Sequence, residues 1–179
     1  SECADSIRPQ AEAKGLRVVC HVEGCTQEWL RGDAFRIKQI VDNLVSNAFK
    51  YTAEGSITIK AATSSDRLTI SVTDTGLGMT EEETRRVFNA FARLTEAQGI
   101  EGVGLGLSIV KELTSLLHAD IQVTSQKGKG TTFRLTLPIE PVAHGDAPSV
   151  SPSVPSAGSS LPDSHAKDTP AVPSHLLIL

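Results

Sequence analysis

Two glycine-rich segments carry residue types that could hold a ligand with an amine at one end and phosphate at the other. Asp74 begins the sequence DTGLG after an apolar segment, and its carboxylate could accept a hydrogen bond from an exocyclic amine. The sequence GVGLGLS (102–108) opens a predicted helix, whose free N–H groups and dipole suit phosphate. Each motif alone is weak evidence, because the chain lacks a Walker pattern and no βαβ unit surrounds these glycines.

A group of polar side chains lies in the segment NLVSNAFKYT (43–52). At about 100° per residue, Asn43, Asn47, Lys50 and Tyr51 fall within one quarter-turn of a helix surface, beside an apolar stripe. Asn is disfavoured inside helices, because its amide competes for backbone hydrogen bonds. The residues alone leave two explanations open, an exposed polar edge of the helix or the lining of a ligand pocket.

The spacing of apolar residues predicts an α+β fold. Asp33 is a predicted N-cap, and Thr80 with Glu83 forms a predicted capping box. Helices are predicted at 2–14, 34–50, 81–89 and 106–118, and strands at 16–22, within 26–33, at 55–63, 66–74, 120–126 and 131–138. This order predicts a two-layer α/β sandwich, with a mixed, mostly antiparallel sheet and helices on one face.

Composition limits the cellular setting and the domain boundaries. The net charge is −4 with scattered basic residues, which argues against nucleic-acid binding, and we expect no membrane contact by this chain and a cytoplasmic location. Three cysteines without a secretory signal indicate reduced thiols, and CHVEGC (20–25) lacks a second ligand pair for zinc.

Residues 140–179 hold seven of nine prolines and eight serines. We therefore predict a folded domain at 1–139 and a disordered linker at 140–174, while the apolar end at 175–179 is either the start of a following domain or an unpartnered tail.

Taken together, the ordered motifs resemble the ATP-binding catalytic domain of sensor histidine kinases, within the GHKL superfamily and its Bergerat fold. The resemblance covers roughly residues 2–138. It rests on an N box (33–52), a first glycine box (74–79), an F box (87–93), a second glycine box (102–113) and the final GKGTTFRLTLP (128–138).

The resemblance implies roles for the residues of the N box and the first glycine box. Asn47 would ligate Mg²⁺, Asn43 would support the metal or its waters, and Lys50 would contact phosphate. Tyr51 would pack on adenine, and Asp74 would accept a hydrogen bond from the adenine amine. Three further residues of the first glycine box are assigned to the nucleotide-binding surface by the same resemblance, with the two glycines giving the base room: Gly76, Gly78 and Met79.

The second glycine box and the F box resemble a lid over the nucleotide. Phe88 and Phe91 would dock the lid, with plain core packing as a compatible alternative, and Arg93 would lie near the terminal phosphate unless it is a solvated surface charge. The remaining residues assigned to nucleotide binding belong to the second glycine box and the closing strand: Gly102, Val103, Gly104, Leu105, Gly106, Leu107 and Thr132.

Asn43 distinguishes between branches of the superfamily. ATP-hydrolysing members resemble one another in having a glutamate at this position, whereas the Asn43 amide cannot act as a general base. The resemblance therefore implies a kinase that passes the γ-phosphate of ATP to a protein histidine. None of the five histidines has the setting of a phosphoacceptor, so the acceptor would lie on a dimerisation domain absent from this chain.

Partners and alternatives follow from the same comparison. We expect a monomeric catalytic fragment that does not phosphorylate itself, a response regulator or receiver domain as a further partner, and a parent protein that could be membrane-anchored. A degenerate nucleotide-binding module for protein interaction and a GHKL ATPase are the alternatives.

Overall fold

The computed structural model describes residues 2–24, 30–64, 66–91, 104–141 and 176–177 of the chain. Helices and strands alternate irregularly along these residues. In chain order they are α1 Glu2–Ala13, β1 Leu16–Glu23, β2 Leu30–Arg31, α2 Ala34–Tyr51, β3 Gly55–Thr63, β4 Arg67–Asp74, α3 Glu81–Arg86, α4 Gly106–Leu116, β5 Asp120–Gln126, β6 Gly130–Pro138, β7 Glu140–Pro141 and β8 Leu176–Leu177.

The main sheet contains five strands in the order β1-β3-β4-β6-β5. Strand β1 pairs with β3 in parallel, and the other three pairs are antiparallel. Residues opposite one another in this register point to the same face of the sheet, so Ile59, Val72 and Phe133 share a face. The predicted α+β class and mixed, mostly antiparallel sheet are confirmed.

The core lies between one face of this sheet and the helices. Alternate residues of β4 and β6 are buried, which matches the two-residue period of a half-buried strand. Helix α2 contributes six buried apolar residues on one stripe: Ile37, Ile40, Val41, Leu44, Val45 and Ala48. Helices α1 and α4 add Ala11 and Val110. The buried stripe fixes helix α2 against the core, and the polar residues beside this stripe are positioned with it.

Local hydrogen bonds explain where the helices start and stop. Asp33 caps α2, and Thr80 with Glu83 forms the predicted capping box of α3. The Lys14 ammonium donates to the carbonyls of Phe49 and Thr52, at 2.9 and 2.8 Å, and so caps the carboxyl end of α2.

Helix α1 ends one residue earlier than predicted, at Ala13, and two other helices end two or three residues early. Helix α3 ends at Arg86 rather than at residue 89, because residues 87–91, up to Phe91, form turns instead of continuing the helix. Helix α4 stops at Leu116 rather than at residue 118, because His118 takes a left-handed φ of 51°. The N–H groups of His118 and Ala119 then bond to Ser115 and Thr114, as in a Schellman motif.

A small second sheet involves the end of the chain. Its order is β7-β2-β8, and β8 pairs antiparallel with Leu30–Arg31. Glu140–Pro141, the first two residues of the predicted linker, form β7 and pair with β2. Residues 142–175 lie outside the described part of the structure, so the rest of the linker at 140–174 stays a prediction. The start of a following domain at 175–179 also stays a prediction.

Candidate functional site

A cavity of about 650 Å³ lies between α2, the segment after β4, α3 and the start of α4. This volume suits a small organic ligand. The lining comes from separate parts of the chain: Asn43, Ser46, Asn47, Ala48, Lys50, Tyr51, Asp74, Gly78, Met79, Glu83, Arg86, Val87, Asn89, Ala90, Phe91, Gly104, Leu105, Gly106, Leu107, Thr131 and Phe133.

Asp74 forms one end of the cavity at the last position of β4. The residue is 6% exposed, and its Oδ1 accepts hydrogen bonds from the N–H groups of Gly76 and Thr131, at 2.9 and 3.3 Å. Burial raises the pKa of the Asp74 carboxyl, and these two donors act in the opposite direction. Within the described residues Oδ2 receives no hydrogen bond, so this oxygen is available to a ligand donor.

The turn after Asp74 is held against its neighbours at distances that only glycine permits. A Cβ on Gly76 would lie 2.2 Å from the Tyr51 carbonyl oxygen, and one on Gly78 would lie 2.0 Å from the Gln126 carbonyl oxygen. Gly78 also has a φ of 61°. The first glycine box is thus fixed to the end of α2 on one side and to β5 on the other.

The two asparagines face the start of α4. Asn43 Nδ2 donates to the Gln39 carbonyl at 2.8 Å, which commits the amide nitrogen and leaves Oδ1 for other contacts. A Cβ on Gly106 would lie 3.0 Å from Asn43 Oδ1 and 3.8 Å from Asn47 Nδ2. The first residue of α4 therefore sits directly over the asparagine pair, so the amino end of that helix faces the same part of the cavity.

Charged and aromatic side chains complete the walls. Lys50 Nζ lies 5.8 Å from the centroid of the Tyr51 ring. Phe88 packs edge-to-face on Phe133 at 6.2 Å between ring centroids. Phe91 is 69% exposed, and its N–H donates to the Gly104 carbonyl at 3.1 Å. Phe88 thus packs with the core, whereas Phe91 lies at the cavity wall.

Most residues predicted for the site are brought together by the fold. Residues from the N box, the first glycine box and the start of α4 all line the cavity, although they lie up to 64 positions apart as with Asn43 and Leu107. Gly76 lies behind the wall, where it lets the turn approach Tyr51. Arg93, Gly102 and Val103 lie outside the described residues, and their assignments stay predictions.

Thr132 departs from its predicted place. It is paired with Thr73, and the two hydroxyls are 3.0 Å apart on the sheet face opposite to Asp74. Thr131 lines the cavity instead, because successive residues of a strand point to opposite faces. Alternation counted from the buried Phe133 could have identified Thr131 from the sequence.

Two charged residues of α3 also line the cavity without having been predicted. Arg86 forms an ion pair with Glu82 at 3.2 Å, and Glu83 belongs to the capping box. Their proximity to the cavity depends on how α3 packs against β5, and no motif in the sequence indicates it.

The asparagine pair provides a suitable partial ligand set for Mg²⁺. This ion prefers oxygen donors, takes few of them from protein, and keeps phosphate and water as its other ligands. Asn43 Oδ1 and the Asn47 amide supply neutral oxygens at the mouth of α4, and the described residues hold no cluster of three acidic, histidine or cysteine side chains. Such a set fits a metal that arrives with a phosphate ligand better than a resident metal ion.

Comparison with curated proteins gives relatives among bacterial sensor kinases. The chain is 39% identical over 147 residues to the autoinducer 2 sensor kinase/phosphatase LuxQ of Vibrio cholerae, covering 79% of this chain and 17% of that protein. It is 35% identical over 133 residues to the sensor histidine kinase RcsC of Escherichia coli K12, covering 73% and 14%. The chain thus spans less than a fifth of the length of these relatives. No helix in the described residues has the length and apolar character needed to span a membrane.

Solved structures of histidine kinases share the fold. Full-length ShkA in complex with AMPPNP superposes with a TM-score of 0.70 at 29% identity, covering 79% of this chain and 29% of that one. The nucleotide-free catalytic domain of ThkA gives a TM-score of 0.65 at 24% identity, covering 76% and 89%, and supports the fold alone. The family model of histidine kinase-, DNA gyrase B- and HSP90-like ATPases matches residues 32–141. The chain therefore belongs to this family and is a catalytic domain of the sensor histidine kinase type.

Proposed function

We propose that this domain binds Mg·ATP and donates the γ-phosphate to a histidine on a dimerisation domain outside this chain. The observation that carries the proposal is that the two ends of one cavity present different polar groups. The buried Asp74 carboxylate lies at one end, and the Asn43–Asn47 pair lies beneath the start of α4 at the other. A molecule with an amine-bearing base and a phosphate chain matches both ends.

The base would bind at the Asp74 end. Asp74 Oδ2 would accept a hydrogen bond from the exocyclic amine, while Oδ1 is held by Gly76 and Thr131. Tyr51 and Met79 line this part of the cavity with apolar surface for the ring faces. The turn around Gly76 and Gly78 packs closely against Tyr51 and Gln126, so it would shield the base from bulk water and strengthen the hydrogen bond to Asp74.

The phosphates would bind at the other end, near the start of α4. The free N–H groups of Gly106 and its neighbours would donate to phosphate oxygens, and Lys50 would add a positive charge. Asn47, supported by Asn43, would hold Mg²⁺, which supplies charge neutralisation when it is bound. Phosphoryl transfer depends chiefly on such positioning and charge neutralisation, so the acceptor histidine can come from another domain.

Asn43 supports transfer to a protein over transfer to water. Its amide nitrogen donates to Gln39, and its amide oxygen cannot take a proton from water at neutral pH. Water in the cavity is therefore not activated by this residue. A kinase benefits because bound ATP survives until the acceptor histidine arrives.

Phosphate analysis with labelled ATP tests this proposal. We expect the chain alone to bind [γ-³²P]ATP without steady turnover, and to label the dimerisation domain of its parent protein when the two are mixed. The label should be acid-labile and base-stable, as a phosphorus–nitrogen bond is. Steady release of phosphate by the chain alone would instead indicate an ATPase, and a folded chain that binds no nucleotide would indicate a protein-interaction module.

The setting of the domain follows from the same proposal. Its partners would be the acceptor domain and a response regulator or receiver domain of the phosphorelay, with the chain itself acting as a monomer. The cytoplasm supplies ATP and the regulator, so we place the domain there.

A further inference from the structure

Ser125 connects two walls of the cavity without lining it. This residue lies on β5, and its hydroxyl has three partners. The Met79 N–H donates to Ser125 Oγ at 2.8 Å, the Gly130 carbonyl lies 3.0 Å away, and Thr131 Oγ1 lies 2.9 Å away. Met79 and Thr131 both line the cavity, so one hydroxyl holds the glycine turn and β6 together beside the Asp74 carboxylate.

Counting protons lets us assign a direction to these hydrogen bonds. A serine hydroxyl has one proton to donate and two lone pairs that accept. The Gly130 carbonyl can only accept, so the Ser125 proton goes to it. The Ser125 lone pairs are then left for the Met79 N–H and for the Thr131 hydroxyl, which must donate its own proton to Ser125.

This direction gives Thr131 a defined polarity toward the cavity. Its proton points to Ser125, so the Thr131 oxygen can only accept hydrogen bonds from a ligand. The neighbouring Asp74 carboxylate also only accepts when it is ionised, and its Oδ1 already bonds to the Thr131 N–H. This corner of the cavity therefore presents acceptors alone to a base.

We propose that Ser125 is a positioning residue that makes Thr131 a hydrogen-bond acceptor and thereby selects bases with an exocyclic amine over bases with a carbonyl. The inference rests on the proposed nucleotide site. Adenine presents an amine to this corner, whereas hypoxanthine presents a carbonyl oxygen at the same carbon. A carbonyl facing two acceptors loses its hydrogen bond to water and gains none, so its nucleotide binds more weakly.

Titration with ADP and with inosine diphosphate tests the inference, because the two ligands share the sugar and phosphates. We expect the wild type to prefer ADP by at least about tenfold, which corresponds to about 1.4 kcal/mol. In Ser125→Ala the Thr131 hydroxyl is free to rotate and donate to a carbonyl. The ratio of the two dissociation constants should therefore fall by about tenfold, mainly through tighter binding of inosine diphosphate.

Three further variants separate selectivity from stability. Ser125→Thr keeps a hydroxyl and should keep the preference, whereas Ser125→Cys, a weaker acceptor of similar size, should give an intermediate ratio if the alanine variant does not fold. Thr124→Ala is the matched control, since this exposed neighbour on β5 is paired with Thr132 on the other sheet face, and its ratio should equal that of the wild type.

The outcomes distinguish the inference from the function on which it rests. Equal weakening of ADP and inosine diphosphate in Ser125→Ala or Ser125→Cys would show a structural role only and would overturn the inference, while leaving nucleotide binding established. A folded wild type that binds neither ligand would overturn the proposed function and the inference together.

Discussion

At the residue scale, the site contains polar side chains that already have hydrogen-bond partners within the protein. Asp74 is the clearest case, because its Oδ1 is held by two backbone donors and its carboxylate is buried. The sequence indicated the type of chemistry at Asp74 and at the asparagine pair. The family resemblance assigned Thr132 instead of its neighbour Thr131, which lies on the cavity face of β6 together with the buried Phe133.

Asp74→Asn is expected to stabilise the domain while weakening nucleotide binding. Burial raises the pKa of Asp74 in the folded state, so between the unfolded and folded pKa values the folded protein binds more protons. Stability therefore falls as pH rises through this interval and stays lower above it. Asn carries no charge to desolvate and can still accept the N–H groups of Gly76 and Thr131.

Urea unfolding as a function of pH measures this effect. Asp74→Asn should exceed the wild type in free energy of unfolding at pH 7, and the difference should shrink as pH is lowered toward the ordinary aspartate value of 3.8. Asp66→Asn, at an exposed ion pair with Arg67, is the control and should show little change. A destabilised Asp74→Asn at pH 7 would contradict the burial argument.

Thr131→Val and Thr132→Val form a matched pair on one strand. Thr131→Val removes a hydroxyl from the cavity wall and should weaken ADP binding by about tenfold, the effect of one lost hydrogen bond. Thr132→Val removes a hydroxyl that faces Thr73 on the opposite side of the sheet, and ADP affinity should stay unchanged. Calorimetry on both variants measures this, and the reverse order of effects would contradict the strand register.

At the element scale, caps and turns determine how the site is held. Lys14 at the end of α1 caps the carboxyl end of α2, and the glycine turn after β4 packs against Tyr51. Helix periods, the N-cap at Asp33 and the capping box at Thr80 were readable from the sequence, because they are local. The early ends of α3 and α4 were not, since they depend on the turn at 87–91 and on the left-handed His118.

His118→Gly is expected to stabilise the domain by about 1 kcal/mol. His118 has a φ of 51° at the residue after the cap of α4, where glycine carries no steric cost. Ala119→Gly is the control and should lose stability, because this position has no positive φ and glycine there adds unfolded-state entropy and removes a methyl group packed against the core. Urea midpoints measure both, and a loss of stability in His118→Gly would show that the imidazole makes a contact worth more than the strain.

At the scale of the whole molecule, the sheet and α2 bring distant motifs to one cavity. The mixed sheet and the helical layer were predicted from the alternating and helical spacing of apolar residues. The roles of the site residues were predicted from the family resemblance. The sequence of residues 92–103, which include Arg93, Gly102 and Val103, shows no such period. The predicted roles of these three residues therefore rest on the resemblance alone. Helix α2 thus joins the two parts of the cavity that we propose to hold the base and the phosphates, the corner around Asp74 and the region at the start of α4.

The most direct test of the central claim is calorimetric titration of the chain with a non-hydrolysable ATP analogue, with and without Mg²⁺. We predict saturable binding in the wild type that Mg²⁺ strengthens, loss of binding in Asp74→Ala, and binding in Asn47→Ala that no longer responds to Mg²⁺. A folded wild-type chain that shows no saturable binding, or an Asp74→Ala variant that binds as tightly as the wild type, would contradict the assignment of this cavity to Mg·ATP.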